Sequence, residues 1–488
     1  MRLGNRLFPV GCVTGGSKSV QRPPSGHMKE KSASIPPACF QLCNRTGQMI
    51  SGTIEAAVLK QNIEKNTMQE SEVVTGIAVS VVITTYNSKD FIEETIANIK
   101  NQTLENYEVI MVDDNSTDGT VEILKNLRKD AKFKIILNDR NSGAGHSRNQ
   151  AVSLAQGDYL IFLDDDDIYH PDMLEKAYCA AKLRDADILV FRSYGKNLQT
   201  QDMSPISWSV RDDLLPETDV FSIKDVKNNI FHCFVWWAWD KMIRRKIILD
   251  SGLRFQEIRT TNDLYFVFAI FLYAQRIAKI DDSLITHVFD RTNSLSNTRE
   301  QSFECAIVAL RVVREVMIKN NVYEYYKSYY FEYCVSFLNW HLITLKTTVF
   351  FEMYDSIRNF FEEIQLDPDL LRGGCEREKY KELSTMSSSE YLMHEFNMVN
   401  GDRTRVEVEL KKTRAELETA LVALKQNQVE HDNTVAALSA CVGEKEEVIL
   451  NLRAYISHME QSKSWKITKP LRSVNFFVSN IIEKYRNG

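Results

Sequence analysis

Three segments decide the fold: AVSVVITTYN at residues 78–87, YEVIMVDDNSTDGT at 107–120 and YLIFLDDDD at 159–167. Each opens as a run of Val, Ile, Leu and aromatic residues without a helical period, the pattern of a strand buried on both faces. Each then breaks off into polar residues. Between them Phe91–Lys100, Thr120–Arg128 and Ala144–Ala155 show helical spacing, and Phe133–Leu137 reads as a further strand. Met173–Leu183 and Ile188–Phe191 continue the alternation. Strand and helix alternating at this spacing imply right-handed crossovers, and so an α/β fold with a mostly parallel sheet flanked by helices. Chemistry in such sheets collects beyond the carboxyl ends of the strands, where the polar residues fall.

The first strand ends in Thr84, Thr85, Tyr86 and Asn87, the second in Asp113 and Asp114, and the fourth in Asp164, Asp165, Asp166 and Asp167. A loop from Asn141 through Gly143 to Arg148 and Asn149 leads into the third helix. Singly these signals are weak, since paired acids often cap a helix, acidic runs are usually solvated and glycine loops are often plain turns. Jointly they build one polar cleft from independent strand ends. Four adjacent carboxylates repel one another unless a cation sits among them, and hard divalent ions are held by one or two carboxylates together with substrate phosphates. In an extended segment Asp164 and Asp166 share a side. A diphosphate bridged by such a metal follows, with Arg148 and the backbone amides near Gly143 adding positive potential.

Taken in order, the Tyr-Asn after the first strand, the Val-Asp-Asp-x-Ser-x-Asp, the Asn-x-Gly loop with its Arg-Asn and the Leu163-Asp-x-Asp-Asp resemble family 2 glycosyltransferases of the GT-A fold. The resemblance is to the bacterial surface-polysaccharide type. It covers Val79–Phe191 closely and continues through Trp239-Asp240-Lys241, Leu253-Arg254-Phe255 and Asn262-Asp263 to about residue 300. It implies a base pocket from Thr84 and Tyr86, with Asp114 accepting from the nucleobase, typically uracil. Asn87, Asp113, Gly143, Arg148, Asp164 and Asp165 would complete the nucleotide-sugar site. Asp166, with Asp164, would hold Mn²⁺ or Mg²⁺, Asp263 would be the general base of an inverting transfer, and Trp239 would shape the acceptor side. Two positions depart from the family's usual pattern: Thr84 stands where proline is common, and Asn262-Asp263 where Glu-Asp is usual. The implied activity is metal-dependent transfer from a nucleoside-diphosphate sugar, a UDP-sugar, to a hydroxyl of a glycan or lipid-linked acceptor. A glycosidase would instead need two carboxylates flanking the bond. The rival readings are a nucleotidyltransferase, for which the place after the first strand lacks a Gly- and Lys/Arg-rich loop, and an interaction protein with a degenerate cleft.

Composition fits a folded protein: of 488 residues 44% are apolar and 26% charged, which excludes wholesale disorder. A net charge of −6 gives no footprint for nucleic acid. Residues 1–70 are basic and rich in Pro and Gly, and read as a disordered tail, with Met28, Met49 and Met68 as alternative starts. Nine scattered cysteines without metal spacing read as reduced, mostly buried thiols. The longest uncharged apolar stretch, Leu264–Ala274, is too short to span a bilayer, which needs about 20 residues, and no signal-peptide pattern appears. The expectation is a cytoplasmic protein, peripheral at the inner face of the membrane. The transferase domain is expected over residues 76–300 and a helical subdomain over 301–400. Across 404–458 Leu410, Leu417, Leu424, His431, Leu438, Lys445 and Leu452 recur every seven residues, with Arg414, Leu421, Gln428, Val435, Val442, Ile449 and Ile456 as the other seam. That pattern predicts a coiled coil and a homo-oligomer. Residues 459–488 read as a basic amphipathic tail that contacts an anionic membrane.

Overall fold

The computed structural model describes residues 76–226, 230–289, 298–345, 349–427 and 432–461. The expected basic tail and most of the carboxyl-terminal amphipathic tail lie outside these residues.

Strands β1 (Val79–Thr85), β2 (Tyr107–Asp113), β3 (Phe133–Leu137) and β4 (Tyr159–Asp164) are parallel and lie side by side in the order β3-β2-β1-β4. The alternation along β1 sorts its side chains between two cores. Val82 joins Ile110, Val112 and Phe162 on one face, while Val81 and Ile83 join Val109, Met111, Ile161 and Leu163 on the other. All seven β2 residues are buried, which is why the segment carries no amphipathic alternation. Crossovers α1 (Ile92–Lys100), α2 (Thr120–Leu127) and α3 (Ala144–Leu154) fall where helical spacing places them. Gly157 allows the chain entering β4 to pass β1, since a Cβ there would stand 2.5 Å from the Ser80 amide nitrogen.

The other half of the sheet departs from the parallel expectation. After β5 (Ile168–Tyr169), α4 (Met173–Leu183) and β6 (Ile188–Asn197) come β7 (Met203–Pro205), β8 (Val220–Phe221), β9 (Lys241–Arg244) and β10 (Ile277–Phe289). β9 runs antiparallel between β4 and β6, while β10 pairs parallel with β6. The short strands β5 and β8 pair antiparallel with β10, and β7 with β6. The result is a mixed sheet. Helix α5 (Arg245–Ser251) leads on to α6 (Leu264–Tyr273), whose Leu264, Phe266, Val267, Phe268, Ala269, Ile270 and Phe271 are buried. A helix apolar on all sides must be covered on all sides. The sheet covers one, and α7 (Cys305–Lys319) and α8 (Tyr323–Thr344) the other. Leu264–Ala274 is therefore a core helix, and no described helix is long and apolar enough to cross a membrane.

Helices α9 (Phe350–Glu363) and α10 (Gly374–Thr385) complete the helical layer. The boundary expected near residue 400 falls inside one helix, α11 (Ser388–Asn427), which is followed by α12 (Asp432–Gln461). Glu416 pairs with Lys445, and Arg403 approaches Glu460 at 3.7 Å, so α11 and α12 run antiparallel against each other. On α12 the expected seam holds: Val442, Lys445, Leu452 and Ile456 are half-buried and Ile449 is buried. On α11 one seam holds, with Leu410 and Leu417 half-buried. The other is shifted by one residue, to Val406, Thr413 and Ala420, leaving Arg414 and Leu421 exposed. The surface from which self-association was expected thus faces the chain's own second helix. Cys179, Cys233, Cys305, Cys334 and Cys441 are free thiols, as expected.

Candidate active site

Parallel register sets the carboxyl edge. Thr84 stands beside Val112 on β2 and Asp164 on β4, and the chain order reverses around β1. Such a switch point opens a crevice between strand ends. One wall is a loop held by its own polar groups. Asp113, fully buried, accepts from Thr85 Oγ1 at 3.1 Å, the Ser116 amide at 2.9 Å and Ser116 Oγ at 2.5 Å. It thereby fixes the loop that follows β2. Asn87 adopts φ +51°, its amide donating to Ser116 Oγ and its Oδ1 accepting from the Thr117 amide, both at 2.8 Å. That left-handed turn carries Tyr86 outward, half exposed at the mouth.

Asp114 is buried and fully engaged. Its carboxylate accepts from the Ser142 amide at 3.0 Å, the Gly143 amide at 2.6 Å and Asn138 Nδ2 at 3.0 Å. The Gly143 amide is therefore engaged within the protein. Asp114 ties the loop before α3 to the end of β2. Two residues on, a Cβ at Gly145 would lie 2.0 Å from the Gln256 carbonyl oxygen. Only glycine lets the residue 255–263 segment lie against α3 this closely. Asn149 completes the clamp, donating to the Phe255 carbonyl at 2.9 Å and accepting from its amide at 2.8 Å.

Arg148 spans the cleft floor. Its Nη1 donates to Asn262 Oδ1 at 2.7 Å and its Nη2 to Asp164 Oδ1 at 2.9 Å, with the guanidinium 5.4 Å from the Phe255 ring. After Asp164 the backbone turns at once instead of extending as expected. The turn brings carboxylate oxygens of Asp164, Asp166 and Asp167 within 4.8 Å of one another. Asp165 points elsewhere, accepting from Ser88 Oγ, while its carbonyl accepts from Thr95 Oγ1 at 2.6 Å. Asp167 is buried, with Oδ1 held by the Val288 amide at 3.0 Å and by His287 Nδ1 at 2.8 Å. Its Oδ2 is buried without a protein partner. Burial pushes the Asp167 carboxyl up, opposed by His287, and in spite of its own burial Asp167 holds the His287 imidazolium up. A divalent cation fits this cluster, because it would satisfy the orphaned oxygen and offset the crowded negative charge.

The far wall starts at Asp263, which precedes α6. Its carboxyl is pushed up by burial, with Arg148 opposing and Asp164 adding to the rise. Thr261, two residues before it, adopts φ +60°, an outlying conformation for a β-branched residue, and Thr260 and Arg259 anchor the segment through Ser302 and Thr298. Arg148 thus links the segment carrying Asp263 to the acid cluster. Trp239 is 4% exposed, its ring stacked on His287 at 5.1 Å and on Trp237 at 4.7 Å. It packs against His287, the residue that holds Asp167 of the acid cluster. Ser88, Asp167 and His287 join the site without having been expected there. Asp167 was visible as the fourth acid of the quartet, but His287 lies on a strand 120 residues away and gives no local signal.

The chain belongs to family 2 of the glycosyltransferases. The profile described as Glycosyl transferase family 2 matches residues 80–249. Over 187 residues the chain is 35% identical to the "Putative teichuronic acid biosynthesis glycosyltransferase TuaG" of Bacillus subtilis (strain 168), covering 38% of this chain and 69% of that one. It is 31% identical over 237 residues to the "Cholesterol galactosyltransferase" of Borreliella burgdorferi, covering 46% of this chain and 64% of that protein. The chain thus spans about two thirds of these relatives' length. A crystal structure of S. aureus TarS residues 1–349 with UDP aligns with 63% of this chain and 90% of that one, at 21% identity and a TM-score of 0.48.

Proposed function

We propose that this chain transfers a sugar from a uridine-diphosphate sugar to a hydroxyl of a glycan or lipid-linked acceptor in surface-polysaccharide synthesis, with inversion and with a divalent cation. The observation that carries the reading is the Arg148 bridge. One guanidinium holds the segment bearing a carboxyl with raised affinity for protons and, at its other fork, the acid cluster. Donor and acceptor chemistry are thereby held in one register.

Asp164, Asp166 and Asp167 would hold the cation, which supplies charge neutralisation for a leaving diphosphate. Asp263 receives the proton of the attacking hydroxyl, and a carboxylate raised by burial is better matched to that task near neutrality than an exposed one. Arg148 opposes that rise. Tyr86 offers an exposed ring for a nucleobase, and Asp114 sets the Asn138–Gly143 loop beside it. Peripheral membrane docking through the carboxyl-terminal tail belongs to the same proposal, since it suits a lipid-linked acceptor at a membrane surface.

A nucleotide-release assay over a panel of UDP-sugars, with Mn²⁺ and with EDTA, tests the reading. Donor-dependent UDP release that EDTA abolishes is the expected result. Release of pyrophosphate from a nucleoside triphosphate and a sugar phosphate would establish the nucleotidyltransferase, and turnover unaffected by EDTA would remove the cation.

A further inference from the structure

One side chain joins the turn after β1 to the acid turn after β4. Ser88 is buried, and all its polar groups are engaged. Its amide donates to Thr120 Oγ1 at the start of α2 at 2.9 Å. Its carbonyl accepts from the Phe91 and Ile92 amides at the start of α1, both at 2.9 Å. The hydroxyl faces the cleft's two turns: it accepts from the Tyr86 amide at 3.3 Å and donates to the Asp165 carboxylate. Ser88 is thus fixed at two helix starts and grips a loop with each side of its oxygen. Asp165 is tied to α1 a second time, its carbonyl accepting from the buried Thr95 hydroxyl at 2.6 Å.

The neighbours of Asp165 give this tie its consequence. Asp164 and Asp166, on either side of it, belong with Asp167 to the acid cluster. Tyr86 lies two residues before Ser88, half exposed, and Asn87 holds its turn from the other side through Ser116 and Thr117. Acid cluster and exposed ring therefore stand at the two ends of one hydrogen-bonded chain. Without a cation the converging carboxylates repel one another, which favours arrangements of the turn that spread them. A cation removes that repulsion and favours the compact arrangement seen here, in which Asp165 meets Ser88. Two sites that bias the same element are energetically coupled, and the coupling is reciprocal.

We propose that Asp165 is a positioning residue which, through Ser88, couples cation binding at the acid cluster to nucleoside binding at Tyr86. The proposal rests on the donor reading above, in which Tyr86 faces the nucleobase, and adds how the two halves of that site are set together. Uridine is the informative probe. It has no phosphate with which to reach the cation, so a cation effect on its affinity reports on the protein between the two sites.

Ligand-observed NMR with uridine on the full chain, in Mg²⁺ and in EDTA, tests this, with UDP in Mg²⁺ as reference and a calorimetric titration of Mg²⁺ alone. In the natural protein Mg²⁺ should tighten uridine about fivefold, the low end of ordinary coupling. Ser88→Ala and Asp165→Ala should each bring that ratio down to about one. Asp165→Asn, whose amide oxygen still accepts from Ser88, should keep most of it. Mg²⁺ alone should bind Ser88→Ala nearly as tightly as the natural protein, because the serine lies outside the acid cluster. If Ser88→Ala does not fold, Asp165→Ala against Asp165→Asn carries the comparison. A merely structural role would weaken uridine equally with and without Mg²⁺, and that result would overturn the proposal. So would a loss of Mg²⁺ binding in Asp165→Asn as large as in Asp166→Asn, which would make Asp165 a cation ligand. If UDP binds but Mg²⁺ leaves uridine unchanged, the coupling is wrong and the donor reading stands. If neither UDP nor uridine binds in any condition, the donor reading falls and the coupling falls with it.

Discussion

Lys241→Met tests how the wall between the two halves of the cleft is held. Lys241 and Asp240 are both fully buried, and Lys241 Nζ bonds Asp240 and donates to the carbonyls of Val235 at 2.8 Å and Trp237 at 2.9 Å. Asp240 Oδ2 has no partner. Burial dominates Asp240 and pushes its carboxyl up to about 6 from 3.8, with Lys241 opposing. Because the folded state binds the proton more tightly than the unfolded one, stability is highest below the unfolded value and falls as pH rises through the folded one. At about 1.36 kcal/mol per unit, that fall is about 3 kcal/mol in the natural protein. Removing Lys241 deletes the only opposing cation in direct contact, so the folded pKa climbs and the fall deepens. An unpaired buried charge costs about 3–5 kcal/mol. At pH 8 the variant should therefore lose about that much, while at pH 5, where Asp240 is protonated in both proteins, the loss should shrink to about 1 kcal/mol, the scale of the lost carbonyl hydrogen bonds. Urea titrations followed by tryptophan fluorescence at pH 5, 6.5 and 8 read this directly, since Trp236, Trp237 and Trp239 adjoin the pair. A loss of the same size at all three pH values would refute the reasoning, because it would mean that the Asp240 charge is not what the lysine compensates.

Three further outcomes follow from the site and the hairpin. Asp166→Asn should cut metal-stimulated transfer about 10²- to 10³-fold with an unchanged melting temperature, since Asp166 sits in a surface turn; full activity would remove it from the cation site. Asp263→Asn should lower kcat about 10²- to 10⁴-fold while leaving UDP affinity intact, and a selective loss of UDP affinity would show the base to be misplaced. Ile449→Asp should unpair α11 and α12, seen as lost helicity and faster proteolysis, whereas Leu421→Asp, on the exposed side, should change stability by no more than about 0.5 kcal/mol; light scattering on both variants shows whether any self-association depends on the same seam.

The part of the cleft at β1, β2 and β4 was readable because its residues lie at or near the ends of strands that are themselves readable. Thr84 and Asp164 stand at the ends of β1 and β4, Asp114 follows β2 and Arg148 lies in α3, all segments whose periodicity is clear, so the topology rule gathers them without any contact being known. What sequence pattern could not supply was direction. Asp113 and Asp114 are adjacent and chemically identical, yet one caps its own loop while the other ties β2 to the start of α3. Asp165 and Asp167 likewise turn to Ser88 and His287, because the chain bends immediately after β4. The part of the cleft around β9 was less readable for a different reason. Its strand β9 is four residues long and begins with a buried lysine, and Trp236 and Trp239 look alike in sequence although they belong to opposite faces of the sheet.

The heptads carry the same lesson in another form. A seven-residue repeat fixes which residues share a helix face, but not whether the facing helix comes from another chain or from further along the same one. Here the repeat runs unbroken in sequence from Leu410 to Leu452, yet the chain folds it into two antiparallel helices, and an antiparallel partner need not preserve the phase of a single continuous helix. Among the residues whose burial is described, α12 keeps its expected seam positions from Val442 to Ile456, while α11 keeps Leu410 and Leu417 but moves the second seam to Val406, Thr413 and Ala420. The small and polar members of that shifted seam explain why it was invisible: Thr413 is buried because its position faces α12, not because its side chain is apolar. The ion pair of Glu416 with Lys445 then gives the polar seam residue Lys445 a partner within the chain. A polar residue in a seam, which in sequence reads as a device for choosing a partner helix, is satisfied here by the preceding helix of the same chain.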